Sequence, residues 1–185
     1  MAIFSIPIIA GTLVLAEPLI ILVAGNDFAG SGLILKILIF ALAAIFLGCM
    51  FAHAVIAINR QKKMIGAYIY VSLTSVVLYL ILIPRFSYYG AAAVTIYSEL
   101  AIAFLSAYVV WRYTKFIPNF KIVIRVLISS FILWGFLYLI PNNFYYTWFG
   151  LISSATISII IYFFSLYLIK GITKNDLHIL LNKKL

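Results

Sequence analysis

The sequence predicts an all-α integral membrane protein, a bundle of six transmembrane helices with both termini in the cytoplasm. Composition is the first reason: 66% of the 185 residues are hydrophobic and only 9% are charged. A typical globular chain is about half apolar and about a quarter charged. The second reason is that the apolar residues gather into runs of membrane-spanning length.

Six apolar runs reach the ~20 residues that an α-helix needs to cross a ~30 Å hydrocarbon core. They must be helical, because hydrocarbon offers no hydrogen-bond partner to a bare peptide group. Strands of a membrane β-barrel would be shorter and would alternate apolar with polar residues. The links are short and rich in turn-forming residues, which predicts antiparallel neighbours. The runs cover residues 3–24, 31–57, 64–84, 91–112, 122–140 and 147–169.

Basic residues are concentrated in alternate links, and this sets the predicted orientation. The positive-inside rule places the basic side in the cytoplasm, so we expect a multi-pass protein of the cell membrane. The same placement accounts for the net charge of +9 without a nucleic-acid partner. Arg85 is the only basic residue in the opposite links. The residues that define the cytoplasmic side include Arg60, Lys62, Lys63, Lys115 and Lys121.

The chain is expected to have three parts. Residues 1–113 hold four helices, and residues 114–170 hold two more. Residues 171–185 break the apolar pattern, and three leucines there share one helical face. That pattern predicts a short amphipathic helix on the cytoplasmic membrane surface, with a solvated tail as the alternative.

Three ionisable side chains interrupt the apolar runs and are candidates for a substrate or ion pathway. Glu17, Lys36 and Glu99 lie about 10, 8 and 13 Å below the outer surface. Such groups usually face the bundle interior, pair with one another and mark pathways. Glu17 and Lys36 are level on neighbouring antiparallel helices, so an ion pair between them is predicted, either structural or functional.

Glu99 belongs to a stripe of small and polar residues at helical spacing. Small residues let membrane helices approach closely, so Glu99 is expected to face a neighbouring helix or a cavity, hydrogen-bonded, protonated or paired with Lys36. A structural role and a proton or substrate role both remain open. The stripe is Ala92, Thr95, Glu99, Ala103 and Ser106, and the other predicted packing residues are Pro18, Gly90, Ala91 and Ser98.

Sequence signals for catalysis are weak, and neither an enzyme nor a cofactor or metal site is expected. His53 is interpreted as lacking an acidic or cysteine partner at metal-binding spacing. Residues 25–32 contain three glycines but lack the Lys-Ser/Thr ending of a phosphate-binding loop. An intramembrane enzyme is the less favoured alternative.

Three stretches together resemble one transporter family. "LAEPLIILVAGNDFAGSGLILKIL" is similar to the ninth and tenth helices of polysaccharide flippases of the multidrug/oligosaccharidyl-lipid/polysaccharide exporter superfamily, and "AINRQKK" resembles their basic inner loop. "LILIPRFSYYGAAAVTIYSE" resembles their Ile-Pro helix end, Gly-Ala-Ala loop and Ser-Glu within the next helix. The chain departs from the family in lacking an asparagine in the helix before that loop.

The resemblance implies the C-terminal lobe and last two helices of a flippase, and it is looser over those two helices. The expected function is to move a lipid-linked oligosaccharide across the cytoplasmic membrane for surface polysaccharide synthesis. Eight helices of the family pattern would be missing, so the chain is interpreted as a fragment. Its expected partners are the lipid bilayer, the lipid-linked oligosaccharide, and an N-terminal lobe or a second copy. The alternative is a six-helix transporter subunit of unknown substrate that works with another protein.

Overall fold

The computed structural model of the chain describes residues 2–115 and 120–169. Within them the secondary structure is helical and no strand occurs. Five of these helices are long and apolar enough to cross a membrane, which confirms the predicted all-helical, multi-pass character. A 3₁₀ turn (Asn26–Phe28) follows the first helix. The α-helices are α1 (Ala2–Ala24), α2 (Ser31–Ala57), α3 (Gln61–Thr114), α4 (Phe120–Leu139), α5 (Asn142–Tyr145) and α6 (Trp148–Leu168).

The 54-residue helix α3 is a hairpin that bends back at one residue. Ser87 has non-helical dihedral angles, φ 51° and ψ −131°, and divides α3 into a first arm (61–86) and a second arm (88–114). Each arm is about 40 Å long, enough to span the membrane. The described chain therefore has six apolar segments, close to the six predicted runs.

Two tyrosines join the arms of this hairpin. The Tyr79 hydroxyl lies 3.1 Å from Thr95 Oγ1, and the Tyr97 hydroxyl donates to Thr74 Oγ1 at 3.1 Å. The residue with the higher number on the first arm, Tyr79, pairs with the lower number on the second arm, Thr95, and Thr74 pairs with Tyr97. The two arms are therefore antiparallel.

The link between the predicted runs 64–84 and 91–112 is shorter than expected. The helix continues through Pro84 and ends only at Ser87. Proline removes one helical N–H but its fixed φ is compatible with the helix. The residues around Pro84, at the tip of the hairpin, are exposed, so no neighbouring helix crowds the proline ring.

Helices α1 and α2 occupy the middle of the arrangement. Helix α1 packs against α2, α4 and α6, whereas α2 packs against both α1 and α3. Helices α4 and α6 also pack against each other. The last two long helices are therefore in direct contact with α1, and the predicted division after residue 113 stays a prediction.

An apolar cluster holds α4 and α6 against α1. The Tyr162 hydroxyl of α6 donates to the carbonyl oxygen of Ile3 at 2.7 Å, and the Tyr145 hydroxyl donates to the carbonyl of Leu137. These bonds let two large aromatic side chains be buried with their polar ends satisfied. The buried members of the cluster are Val126, Leu133, Leu137, Tyr145, Tyr162 and Leu166.

Three glycines mark close contacts between the long helical segments. A β-carbon on Gly90 would lie 2.4 Å from the carbonyl oxygen of Leu82, in the opposite arm of α3. A β-carbon on Gly32 would lie 2.9 Å from the α-carbon of Glu17, and one on Gly48 would lie 3.3 Å from the β-carbon of Ala103. Gly90 thus closes the hairpin, Gly32 joins α2 to α1, and Gly48 joins α2 to the second arm.

Replacing Gly90 should open the hairpin. Gly90→Ala places a methyl group against the Leu82 carbonyl, and overpacking of this kind costs about 1–3 kcal/mol. Gly66→Ala is the matched control, because Gly66 lies in the same helix with no atom within 4 Å of its β-position. Thermal unfolding in detergent should show a lower midpoint for Gly90→Ala alone. Equal midpoints for the two variants would contradict the contact.

Thiol labelling in intact cells tests the predicted orientation of the chain in the membrane. With Cys49 replaced by serine, a membrane-impermeant maleimide should label Asp27→Cys from outside and Lys62→Cys only after the membrane is opened. The expectation follows from the positive-inside rule. Labelling of Lys62→Cys from outside, with Asp27→Cys protected, would reverse the topology.

Candidate functional site

The three intramembrane charges lie on α1, α2 and α3, and α2 packs against the other two helices. Glu17 is on α1, Lys36 on α2 and Glu99 on the second arm of α3. The contact at Gly32 fixes α1 against α2, and the contact at Gly48 fixes the second arm against α2. The positions of the three charges therefore follow from the two glycine contacts.

Glu17 turns its carboxylate outward. Its backbone and β-carbon lie against Gly32, whereas the residue as a whole is exposed. The flanking Ala16 and Pro18 are both buried, and the packing role of Pro18 stays a prediction. The carboxylate thus lies on the exposed face of α1.

The predicted ion pair between Glu17 and Lys36 is absent. Both residues are described, and no contact within the 4.0 Å salt-bridge limit joins them. Lys36 is half-buried, one helical turn beyond Gly32. The two residues have matching depth, but Glu17 presents its backbone to α2, so its carboxylate and the ammonium group do not meet.

The stripe that contains Glu99 is partly buried, as expected from its small residues. Ala92, Ala103 and Ser106 are buried, and Glu99 is half-buried. Ala103 meets α2 at Gly48, whereas Thr95 meets Tyr79 of the first arm. The stripe therefore contacts two neighbouring segments, α2 and the first arm of α3.

Glu99 has no hydrogen bond or ion pair with another described residue. Its predicted pairing with Lys36 is not formed, and the register of the helices explains why. Ala103 lies against Gly48, and Val110 shares a buried cluster with Val55, so α2 and the second arm run parallel. By this register Glu99 is level with residue 44, about 12 Å along the axis from Lys36.

The remaining predicted packing residues are satisfied within their own helix or buried. Thr95 Oγ1 donates to the carbonyl of Ala91 at 3.0 Å, and Ser98 Oγ donates to the carbonyl of Thr95 at 2.9 Å. Gly90 is buried, and Ala91 is partly buried. Their predicted packing role stays a prediction.

A groove of about 530 Å³ is lined mainly by α1 and α6, and none of the three charged residues lines it. Ile8 and Leu15 line it from α1, and Ile159 and Phe163 line it from α6. The apolar lining suits a hydrocarbon chain and offers little to a sugar.

The sequence interpretation of His53 was wrong. Cys49 lies one turn earlier on α2, with its Sγ 3.5 Å from His53 Nδ1, and the same nitrogen lies 2.7 Å from the Cys49 carbonyl oxygen. The i, i+4 spacing, which puts two residues on one helical face, could have revealed this pair. Two side chains fall short of a structural zinc site, and the described residues hold no group of three metal-binding side chains.

The predicted topology residues form one basic end of the bundle. Arg60, Lys62, Lys63 and Lys115 are exposed near the α2–α3 link and the end of α3. The side chain of Lys121 lies outside the described residues. The predicted amphipathic helix of residues 171–185 also lies outside them.

No protein-family model, curated protein or solved structure matches this chain.

Glu17 and Lys36 should contribute independently to stability. Groups that share no contact usually add within about 0.5 kcal/mol, so the loss in Glu17→Gln with Lys36→Met should equal the sum of the single losses. Chemical unfolding in detergent measures all three variants. A double variant that is more stable than Lys36→Met alone would show that the pair exists.

Proposed function

We propose that this chain is part of a transporter that moves lipid-linked oligosaccharides across the cytoplasmic membrane for surface polysaccharide synthesis. The proposal is supported by the three family-like stretches of sequence and by the intramembrane charges. Moving such a substrate makes and breaks no bond, so it requires a path for a polar head and no catalytic constellation.

The observation that carries the proposal is the half-buried, unpaired carboxylate of Glu99. A charged side chain at the middle of a membrane helix costs about 2.5–3.5 kcal/mol on insertion scales. A structural carboxylate would be expected to recover that cost through hydrogen bonds, yet none to a described residue is present. Glu99 is therefore available to accept hydrogen bonds from sugar hydroxyls or to take up a proton.

Lys36 complements Glu99 for this class of substrate. Lys36 is half-buried and forms no ion pair with Glu17, and an ammonium group is a common partner of phosphate groups. A lipid-linked oligosaccharide carries phosphate between its lipid and its sugars. A cation nearer the outer surface and a carboxylate deeper in the bundle offer contacts to both parts of the head.

The outward carboxylate of Glu17 favours action together with a second lobe, a partner protein or another copy of the chain. An ionisable group facing lipid is costly, and such groups usually face protein or a water-filled cavity. A second lobe that covers this face of α1 would enclose a path between that lobe and this chain. The alternative, a six-helix subunit of a different transporter, rests on the same observation and differs in its substrate.

Deletion in the host cell distinguishes these functions. Cells without the chain should lose surface polysaccharide and accumulate the lipid-linked oligosaccharide, and the wild-type chain should restore export. Surface sugar analysis and lipid extraction provide the two readouts. Normal surface polysaccharide with no accumulated precursor would reject the flippase proposal and leave the other transporter.

Glu99 should be required for export through its ionisable group. Glu99→Gln keeps the shape and hydrogen-bonding capacity but removes the charge and the titration, so it should reduce export at least about tenfold at equal protein level, the range of a lost interaction of about 1.4 kcal/mol. Asp27→Asn removes an acid from the exposed link and is the matched control. Near-normal export by Glu99→Gln would assign Glu99 a structural role.

A further inference from the structure

One end of the bundle carries a cluster of cations held by aromatic rings, which we call the basic platform. It consists of Arg60 and Lys63 around Tyr113, and of Lys115 over Trp111. It lies at the other end of the helices from Glu17 and Asp27, and the proposed path does not use it.

The rings place the cations close together. The guanidinium carbon of Arg60 lies 4.5 Å from the centre of the Tyr113 ring, and Lys63 Nζ lies 4.9 Å from the same centre. Lys63 also donates a hydrogen bond to the Tyr113 hydroxyl. Lys115 Nζ lies 4.5 Å from the centre of the Trp111 ring. Arg60 and Lys63 thus both contact Tyr113, Arg60 at the ring face and Lys63 at the hydroxyl, and Lys115 lies over the ring of Trp111 at the same end of the helix.

The platform rests on a packed scaffold. Val55, Met64 and Val110 form a buried cluster that joins the end of α2 to both arms of α3 directly beneath it. Lys115 ends α3 in a left-handed conformation, with φ 54°, and its N–H bonds to the carbonyl of Trp111. The backbone positions of the cations are therefore fixed by the fold.

No described carboxylate neutralises this charge. Glu17 and Asp27 are at the other end of the α1–α2 pair, and Glu99 is about 20 Å along the second arm from Tyr113. Contact with an aromatic ring at an exposed site offsets only part of the repulsion between neighbouring cations. An anion that bridged the cations would relieve the rest.

We propose that the basic platform binds the phosphate of an anionic phospholipid headgroup in the cytoplasmic leaflet. Trp111 and Tyr113 are of the types that sit at the headgroup level of membrane proteins, so the ligand is expected in the membrane surface. Basic pockets between transmembrane helices on the cytoplasmic side bind acidic lipid headgroups. Exposed apolar side chains such as Ile56 and Tyr108 flank the platform and can contact the acyl chains.

The proposal is independent of the transport function. Native mass spectrometry of the purified chain in detergent, titrated with phosphatidylglycerol or phosphatidylcholine, measures the affinity for each lipid. Arg60→Gln with Lys63→Gln removes the two cations that contact Tyr113. Lys62→Gln with Arg112→Gln removes two exposed cations from the same end of the bundle and is the matched control, because neither contacts the ring.

The wild-type chain should retain phosphatidylglycerol in preference to phosphatidylcholine. The Arg60/Lys63 variant should lose affinity about tenfold or more, because it removes the two charges that Tyr113 holds in position for one phosphate. The control should lose distinctly less. Tyr113→Leu keeps every charge but removes the side chain that both cations contact, and it should also weaken binding, which keeps the test valid if the double variant does not fold.

Three results would overturn the proposal. Equal losses in the two double variants would mean that only the general positive charge attracts lipid. Equal affinity for phosphatidylcholine would remove the requirement for an anionic headgroup. Binding of inorganic phosphate in the absence of any phosphatidylglycerol binding would show a site for a soluble anion instead.

Discussion

Close contact between helix backbones is the constraint on which this structure depends. In hydrocarbon, apolar helices gain little from leaving the surrounding lipid, so their association relies on close packing. Gly90, Gly32 and Gly48 meet that requirement at the hairpin of α3, between α1 and α2, and between α2 and the second arm. The buried polar side chains of the described residues are all serines, which are nearly as small.

The same contacts decide what the charged residues can do. The backbone of Glu17 packs against Gly32, so the Glu17 side chain points to the exposed face of α1. Gly48 packs against Ala103, and in this register Glu99 lies deeper in the membrane than Lys36. The charges are consequently spread along the bundle and do not form one cluster. The register of α2 against α3 also brings Val55 beside Val110, and so aligns the cations of the basic platform at one end.

The sequence predicted the spanning segments well, because the thickness of the membrane fixes how many apolar residues a helix needs. It also indicated the glycine at the start of the second arm and the small-residue stripe. It failed on the Glu17–Lys36 pair, because counting residues gives a depth along the axis but not the rotation of each helix about that axis. The continuation of α3 through Pro84 and the turn α5 depend on exposure and local packing, which the hydrophobic pattern does not encode.

Disulfide formation between α2 and the second arm tests the backbone contact most directly. In a Cys49→Ser background, Gly48→Cys with Ala103→Cys would place two β-carbons about 3.3 Å apart, near the 3.5–4.5 Å of a disulfide. The control pair is Gly66→Cys with Ala103→Cys, since no atom lies within 4 Å of the β-position at Gly66. Oxidation in native membranes, followed by a count of free thiols, should show rapid loss in the first pair and little in the control. Equal slow loss in both pairs would contradict the account.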